Sequence, residues 1–95
     1  MTLEKAKQYL KVDYDDDDEL INSMLEAVDL FLMGAITNYE KIKELKLEKL
    51  DILILSCLQD FYDNRGFYQE KDYKPNKIIQ SIIQQLDIEG ALYVD

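Results

Sequence analysis

Ninety-five residues, 47% of them apolar, suffice for one small domain and are too hydrophobic for a disordered chain, although a domain of this length buries only about 60 to 65% of its unfolded surface and is marginal alone. Twenty acidic against eleven basic residues give a net charge of −9, which excludes direct gripping of a nucleic-acid backbone, where lysine and arginine must displace counterions. The absence of histidine and a single cysteine, Cys57, exclude histidine catalysis, zinc-finger spacing and an internal disulfide, and suit a reducing cytoplasmic compartment.

Three glycines and one proline, with apolar residues recurring at helical spacing, predict an all-α fold: a small bundle of four helices with short loops. The first helix starts at Thr2, an N-cap, and carries Leu3, Ala6, Tyr9 and Leu10 to one side. Glu4 lies in its first turn, where a negative charge suits the helix dipole. Lys5 stands where a capping box would need glutamate or glutamine, so that motif is absent. The helix ends near Leu10 or Lys11. Its mixture of charged and apolar residues predicts neither a signal peptide nor a membrane span.

The stretch VDYDDDDEL follows, with six acids in nine positions. Neighbouring charges about 4 Å apart repel by roughly 1 kcal/mol in water, so the run needs solvation or a partner. Asp13, Asp15 and Asp17 have the 1-3-5 spacing of an EF-hand loop. However, the sixth position, which needs glycine, is Asp18, and the twelfth, which needs a bidentate glutamate, is Met24, so no metal site is expected. The simpler reading makes Asp15 or Asp16 an N-cap, with Asp16 and Glu19 at capping-box spacing. Capping uses one or two acids; the surplus within Asp15, Asp16, Asp17 and Asp18 is left for partners.

The second helix runs to about Thr37, with Leu20, Ile21, Met24, Leu25, Val28, Phe31, Leu32, Ala35 and Ile36 on a core stripe. Leu30 and Met33 fall on the opposite side with Asn22, Glu26 and Asp29, which makes them candidate contact residues. Residues 38–46 form a charged, partly helical connection. The third helix, about 47–65, should be central, with Leu47, Leu50, Leu53, Ile54, Cys57, Leu58 and Phe61 inward and Leu55 and Tyr62 widening the stripe. Ile52 points outward among Lys49, Ser56, Gln59 and Asp63. Cys57, between Leu53 and Phe61, reads as a core thiol rather than a nucleophile, for it has no base.

Arg65 at that helix's end suits the negative pole of the dipole, and Gly66 suits a left-handed exit. A polar loop leads to Pro75, where the fourth helix begins, with Ile78, Ile79, Ile82, Ile83 and Leu86 on one face. The tail, DIEGALYVD, residues 87–95, is too short for periodicity to decide and is expected to be a flexible arm, with Ala91 to Val94 either strand-like or a frayed end. No repeat or linker divides the chain, which predicts a single domain. The acid pairs Asp60/Asp63 and Asp13/Asp15 offer nothing that separates their pKa values, and no glycine-rich phosphate loop occurs. The seven tyrosines suit protein contacts better than base stacking, which needs positive surroundings.

The opening YLKVDYDDDDELI and the later YDNR, Tyr62 to Arg65, resemble the small head-tail connector, or adaptor, family of tailed bacteriophages. Its members show an opening like "YL+VD-x-D-x-x-D-x-L-I" and an aromatic-acid-Asn-Arg ending to a later helix. Tyr9, Leu10, Lys11, Val12, Asp13, Asp15, Asp18, Leu20 and Ile21 match the first pattern. The acid run is denser than the pattern requires, and Gly66 stands where many relatives carry a charge.

The resemblance implies a non-enzymatic virion subunit without cofactor or membrane association. It would be assembled in the host bacterial cytoplasm as a ring of about twelve copies, a closed symmetric assembly. Its partners would be the portal above and a tail-side completion protein below, and DNA would pass through the acidic ring without sticking. Leu30, Met33, Ile52, Arg65 and Asp15 to Asp18 are then the interface candidates, with Arg65 placed to pair with a neighbour's acids. The alternative is an acidic inhibitor that mimics DNA in the groove of a nucleic-acid-binding protein, although its acids cluster at one helix end instead of spacing as phosphates do.

Overall fold

Helix caps and buried stripes together set the architecture of the computed structural model, which describes residues 1–63 and 75–92. The fold is all-α, with five helices: α1 (Leu3–Leu10), α2 (Asp18–Ala35), α3 (Tyr39–Glu44), α4 (Glu48–Asp63) and α5 (Lys77–Ala91). The additional helix is short α3, formed within the charged connection because Tyr39 and Ile42 bury their side chains. No described helix is long and apolar enough to cross a membrane.

Thr2 caps α1 as expected, its hydroxyl accepting the Lys5 N–H at 3.2 Å. The helix ends at Lys11, which is left-handed (φ 60°, ψ 42°). The Val12 N–H returns to the Lys7 carbonyl at 2.9 Å, the long bond of a Schellman motif, with the apolar residue after the cap buried. Lys11 and Val12 of the YLKVD stretch thus turn the chain towards α2.

α2 departs from the expected start. Asp17 is the N-cap, with no side-chain capping bond, so neither Asp15 nor Asp16 caps the helix and the Asp16/Glu19 box does not form. These aspartates have other partners, described below. Ile21, Met24, Val28 and Leu32 are buried and Leu25, Phe31 and Ala35 pack partly buried against the same core, as the stripe predicts, but Leu20 in the first turn is exposed. The helix stops at Ala35, and Ile36 is extended yet buried.

α4 is the central element. Leu50, Leu53, Cys57, Leu58, Phe61 and Tyr62 are buried, and it packs on α1, α2 and α5, most extensively on α2 and then α5. α2 and α5 meet each other far less, so they flank α4. Asn64, Arg65, Gly66 and the polar loop lie outside the described residues.

α5 begins with Asn76, whose side chain accepts the Ile79 N–H at 2.9 Å, just after Pro75. Ile79, Ile83, Leu86 and Gly90 are buried, whereas Ile78, expected on the core face, is exposed. The helix continues to Ala91, which corrects the reading of 87–95 as a flexible arm for residues 87–91; residues 93–95 lie outside the described residues. Two side chains explain the extension. Asp87 accepts the Thr37 N–H at 2.6 Å, and the Asn38 amide donates to the Gly90 carbonyl at 2.9 Å. Asn38 itself is left-handed (φ 56°), so its side chain reaches across the turn between α2 and α3.

Candidate interaction surfaces

The acidic loop is tied to the bundle by three of its carboxylates. Lys7 of α1 extends its ammonium between Asp15 (2.9 Å) and Asp18 (2.8 Å). Its hydrogen bonds to Asp18 and then to Asp15 hold the Lys7 ammonium above its ordinary pKa, against the opposing effect of desolvation. Asp18 Oδ1 is shielded from solvent, and this ammonium is its partner. On the other side the Tyr62 hydroxyl, from the end of α4, donates to Asp17 Oδ2 at 2.7 Å. The Tyr14 hydroxyl lies 3.3 Å from the same oxygen and 3.2 Å from the Tyr62 oxygen. One phenolic proton is available to each tyrosine, so Tyr62 commits its proton to Asp17 while Tyr14 shares its own between the two acceptors. The Tyr62 phenol is pushed up in pKa, first by the bond with Tyr14, then by that with Asp17 and by burial. Ionising it would set a second anion against Asp17.

The run therefore divides. Asp15, Asp17 and Asp18 serve the fold, although the Asp15 side chain remains 89% exposed beside Lys7. Asp13, Asp16 and Glu19 face solvent. Among the described residues no group of three or more acids or thiols converges as a metal site, and Cys57 is fully buried.

Leu30, Met33 and Ile52 stand out of the helix surfaces at 58%, 47% and 56% exposure. They occupy two elements, the outer faces of α2 and α4. Arg65 lies outside the described residues. α2 also contributes Leu25, Glu26 and Asp29 to a groove of about 260 Å³ that Met1, Lys43 and Ile54 complete. Its polar rim is internally organised. The Tyr39 hydroxyl donates to Asp29 at 2.9 Å, and Lys43 approaches Asp29 at 3.4 Å while lying over the Tyr39 ring, 5.2 Å from its centroid. Burial, followed by the bond to Asp29, pushes the Tyr39 phenol well above its ordinary pKa.

Sequence reasoning missed the outer face of α5, where Ile78, Ile88 and Leu92 are 74%, 66% and 77% exposed. The missing signal was helix length. Once the pattern is carried past Leu86 to Ala91, Ile78, Ile88 and Leu92 fall together and opposite Ile79, Ile83 and Leu86. Lys49 of α4 donates to Gln85 on this face at 3.0 Å.

These surfaces are apolar or acidic and suited to non-covalent docking. Residues 1–86 match the model of one family, described as phage gp6-like head-tail connector protein. No curated protein and no solved structure matches the chain.

Proposed function

The chain belongs to the phage gp6-like head-tail connector family, and from that premise we propose that it is a structural virion subunit that assembles as a ring beneath the portal and links the DNA-filled capsid to the tail. The observation that carries the reading is the family match over residues 1–86, which spans α1 to α4 and α5 as far as Leu86. Support comes from the surface. A small domain that leaves Leu30, Met33 and Ile52 exposed gains most from burying them against other subunits. No step of the proposed role requires catalysis: the subunit binds the portal on one side, a tail-side completion protein on the other, and its own copies laterally.

A net charge of −9 repels phosphate, and Asp13, Asp16 and Glu19 remain exposed for the DNA path or a basic partner. Arg65 is the candidate for an ion pair with a neighbour's acids. Charge reversal at Arg65 that leaves assembly unchanged would remove it from that role.

Size-exclusion chromatography with light scattering, on the protein alone and with portal, tests the proposal. A ring-sized oligomer, or a monomer that joins only the portal, is the expected result. A monomer that ignores the portal and binds a DNA-processing enzyme would replace the connector with the DNA mimic.

A further inference from the structure

Copies carrying −9 each meet closely only where carboxylates are absent or opposed by cations. The outer face of α5 satisfies that condition. Ile78, Ser81, Gln85, Ile88 and Leu92 recur at helical spacing and are all exposed and uncharged, forming a strip about 21 Å long. Its three apolar members are the most exposed large hydrophobic side chains among the described residues. Lys77 and Lys49 stand at its edges, Lys49 through its hydrogen bond to Gln85, and Glu89 is the one carboxylate of α5 that borders it. Lys77 has no ion-pair partner among the described residues.

The flank of α2 is complementary. Its sequence, DELINSMLEAVDLFLMGA, contains four acids and no base. Leu30 and Met33 protrude from the same helix that gives Leu25 and Glu26 to the groove, whose apolar wall is Met1, Leu25 and Ile54. Glu26 also has no cation partner among the described residues. α4 stands between α2 and α5, so the two surfaces belong to different flanks of one molecule. Two different patches that fit each other give a head-to-tail contact, which propagates and can close as a ring, whereas a patch that fits itself stops at a two-fold dimer.

We infer that the lateral contact of the ring seats the α5 strip of one copy on the α2 flank of the next, with Ile78, Ile88 and Leu92 covering Leu30, Met33 and the groove, and Lys77 opposing Glu26. This rests on the ring reading and specifies its interface. The end of α5 has two uses here: its inner side, through Asp87 and Gly90, holds the turn after α2, and its outer side is presented to a neighbour.

The test uses the full chain, with native mass spectrometry first recording whether the wild type assembles, alone or on the portal. Lys77→Glu and Glu26→Lys should each weaken assembly by about tenfold or more, and the double swap should restore it. Separately, Leu30→Cys with Ile88→Cys in one chain should give a covalent ladder on mild oxidation. An equimolar mixture of the two single variants should stop at dimers, and either single variant alone should give none; buried Cys57 serves as the wild-type control. Circular dichroism confirms that the variants fold. Wild-type rings with no ladder and no rescue would overturn this interface while leaving the ring intact. Dimers from Ile88→Cys alone would overturn it in favour of a two-fold contact. A wild type that never assembles would remove the ring reading and this inference together.

Discussion

The acidic loop and the end of α5 both fasten one helix to another through an aspartate, but by different chemistry. At the loop, Asp17 accepts side-chain hydroxyls from Tyr14 and Tyr62, groups on bonds that can rotate and adjust. At the end of α5, Asp87 accepts a backbone N–H, and the backbone of Gly90 lies directly against the Thr37 carbonyl. A side-chain tie yields gradually when altered, whereas backbone packed on backbone has no slack. The conspicuous cluster is therefore the more forgiving of the two.

Gly90→Ala is the sharpest way to break the comparison. A Cβ at Gly90 collides with the Thr37 carbonyl, while one at Gly34 meets nothing within 4 Å. Overpacking of this kind costs about 2 to 3 kcal/mol, or a fall in Tm on the order of 10 °C or more for a domain of this size. Gly34→Ala should leave stability unchanged or raise it by up to about 1 kcal/mol, the helix-propensity difference. Thermal melts of the two alanine variants separate the cases, and equal Tm values would remove the close packing of α5 on the turn.

Tyr62→Phe should cost less, about 1 to 2 kcal/mol, since it removes one hydrogen bond to a carboxylate but leaves Tyr14 able to approach Asp17. Tyr14→Phe, on the exposed partner, should cost less again; chemical denaturation ranks the two. The same contacts shape alkaline behaviour. Tyr62 and Tyr39 have folded pKa values raised above the ordinary phenol value of 10.0, so their contribution is fully present below about pH 10 and is lost as pH rises towards their folded values. In an absorbance titration at tyrosinate wavelengths these two phenols should ionise later than an ordinary phenol, and the delay at Tyr62 should shrink in Tyr14→Phe.

Much of the fold was legible because it follows periodicity and caps: Thr2, the stripe from Ile21 to Leu32, the central helix through Cys57, and the start of α5. The errors share a cause. Asp16 and Glu19 have capping-box spacing, but Lys7 and Tyr62, eleven or fewer residues away in one case and more than forty in the other, draw the neighbouring aspartates elsewhere. The end of α5 was too short a stretch to read by periodicity, and its contacts with Thr37 and Asn38, more than forty residues away, hold it as helix. Of the interface candidates, Leu30, Met33 and Ile52 were visible as apolar residues out of phase. Ile78 was hidden among four isoleucines whose phase could be fixed only once the helix length was known.

Asp87 gives the acid counterpart. The Thr37 hydrogen bonds hold its carboxyl below the usual value of 3.8, so its contribution is present above about pH 4 and is lost as pH falls through the lower folded value. Asp87→Asn should flatten the acid limb of a stability profile below about pH 4; an unchanged limb would mean that the Thr37 bond adds nothing in solution.

The smallest effect belongs to the most conspicuous sequence. Asp16 and Asp13 are exposed, and surface substitutions away from special features stay within about 0.5 kcal/mol. Asp16→Asn should therefore melt with the wild type, or slightly above it through relief of repulsion from its neighbours. Asp17→Asn should be destabilising, because an amide accepts the Tyr62 proton more weakly than a carboxylate does. If Asp16→Asn instead melted well below the wild type, the division of the run into structural and exposed acids would fail. With stability unchanged, any defect of Asp16→Asn in assembly with portal would belong to the surface it presents.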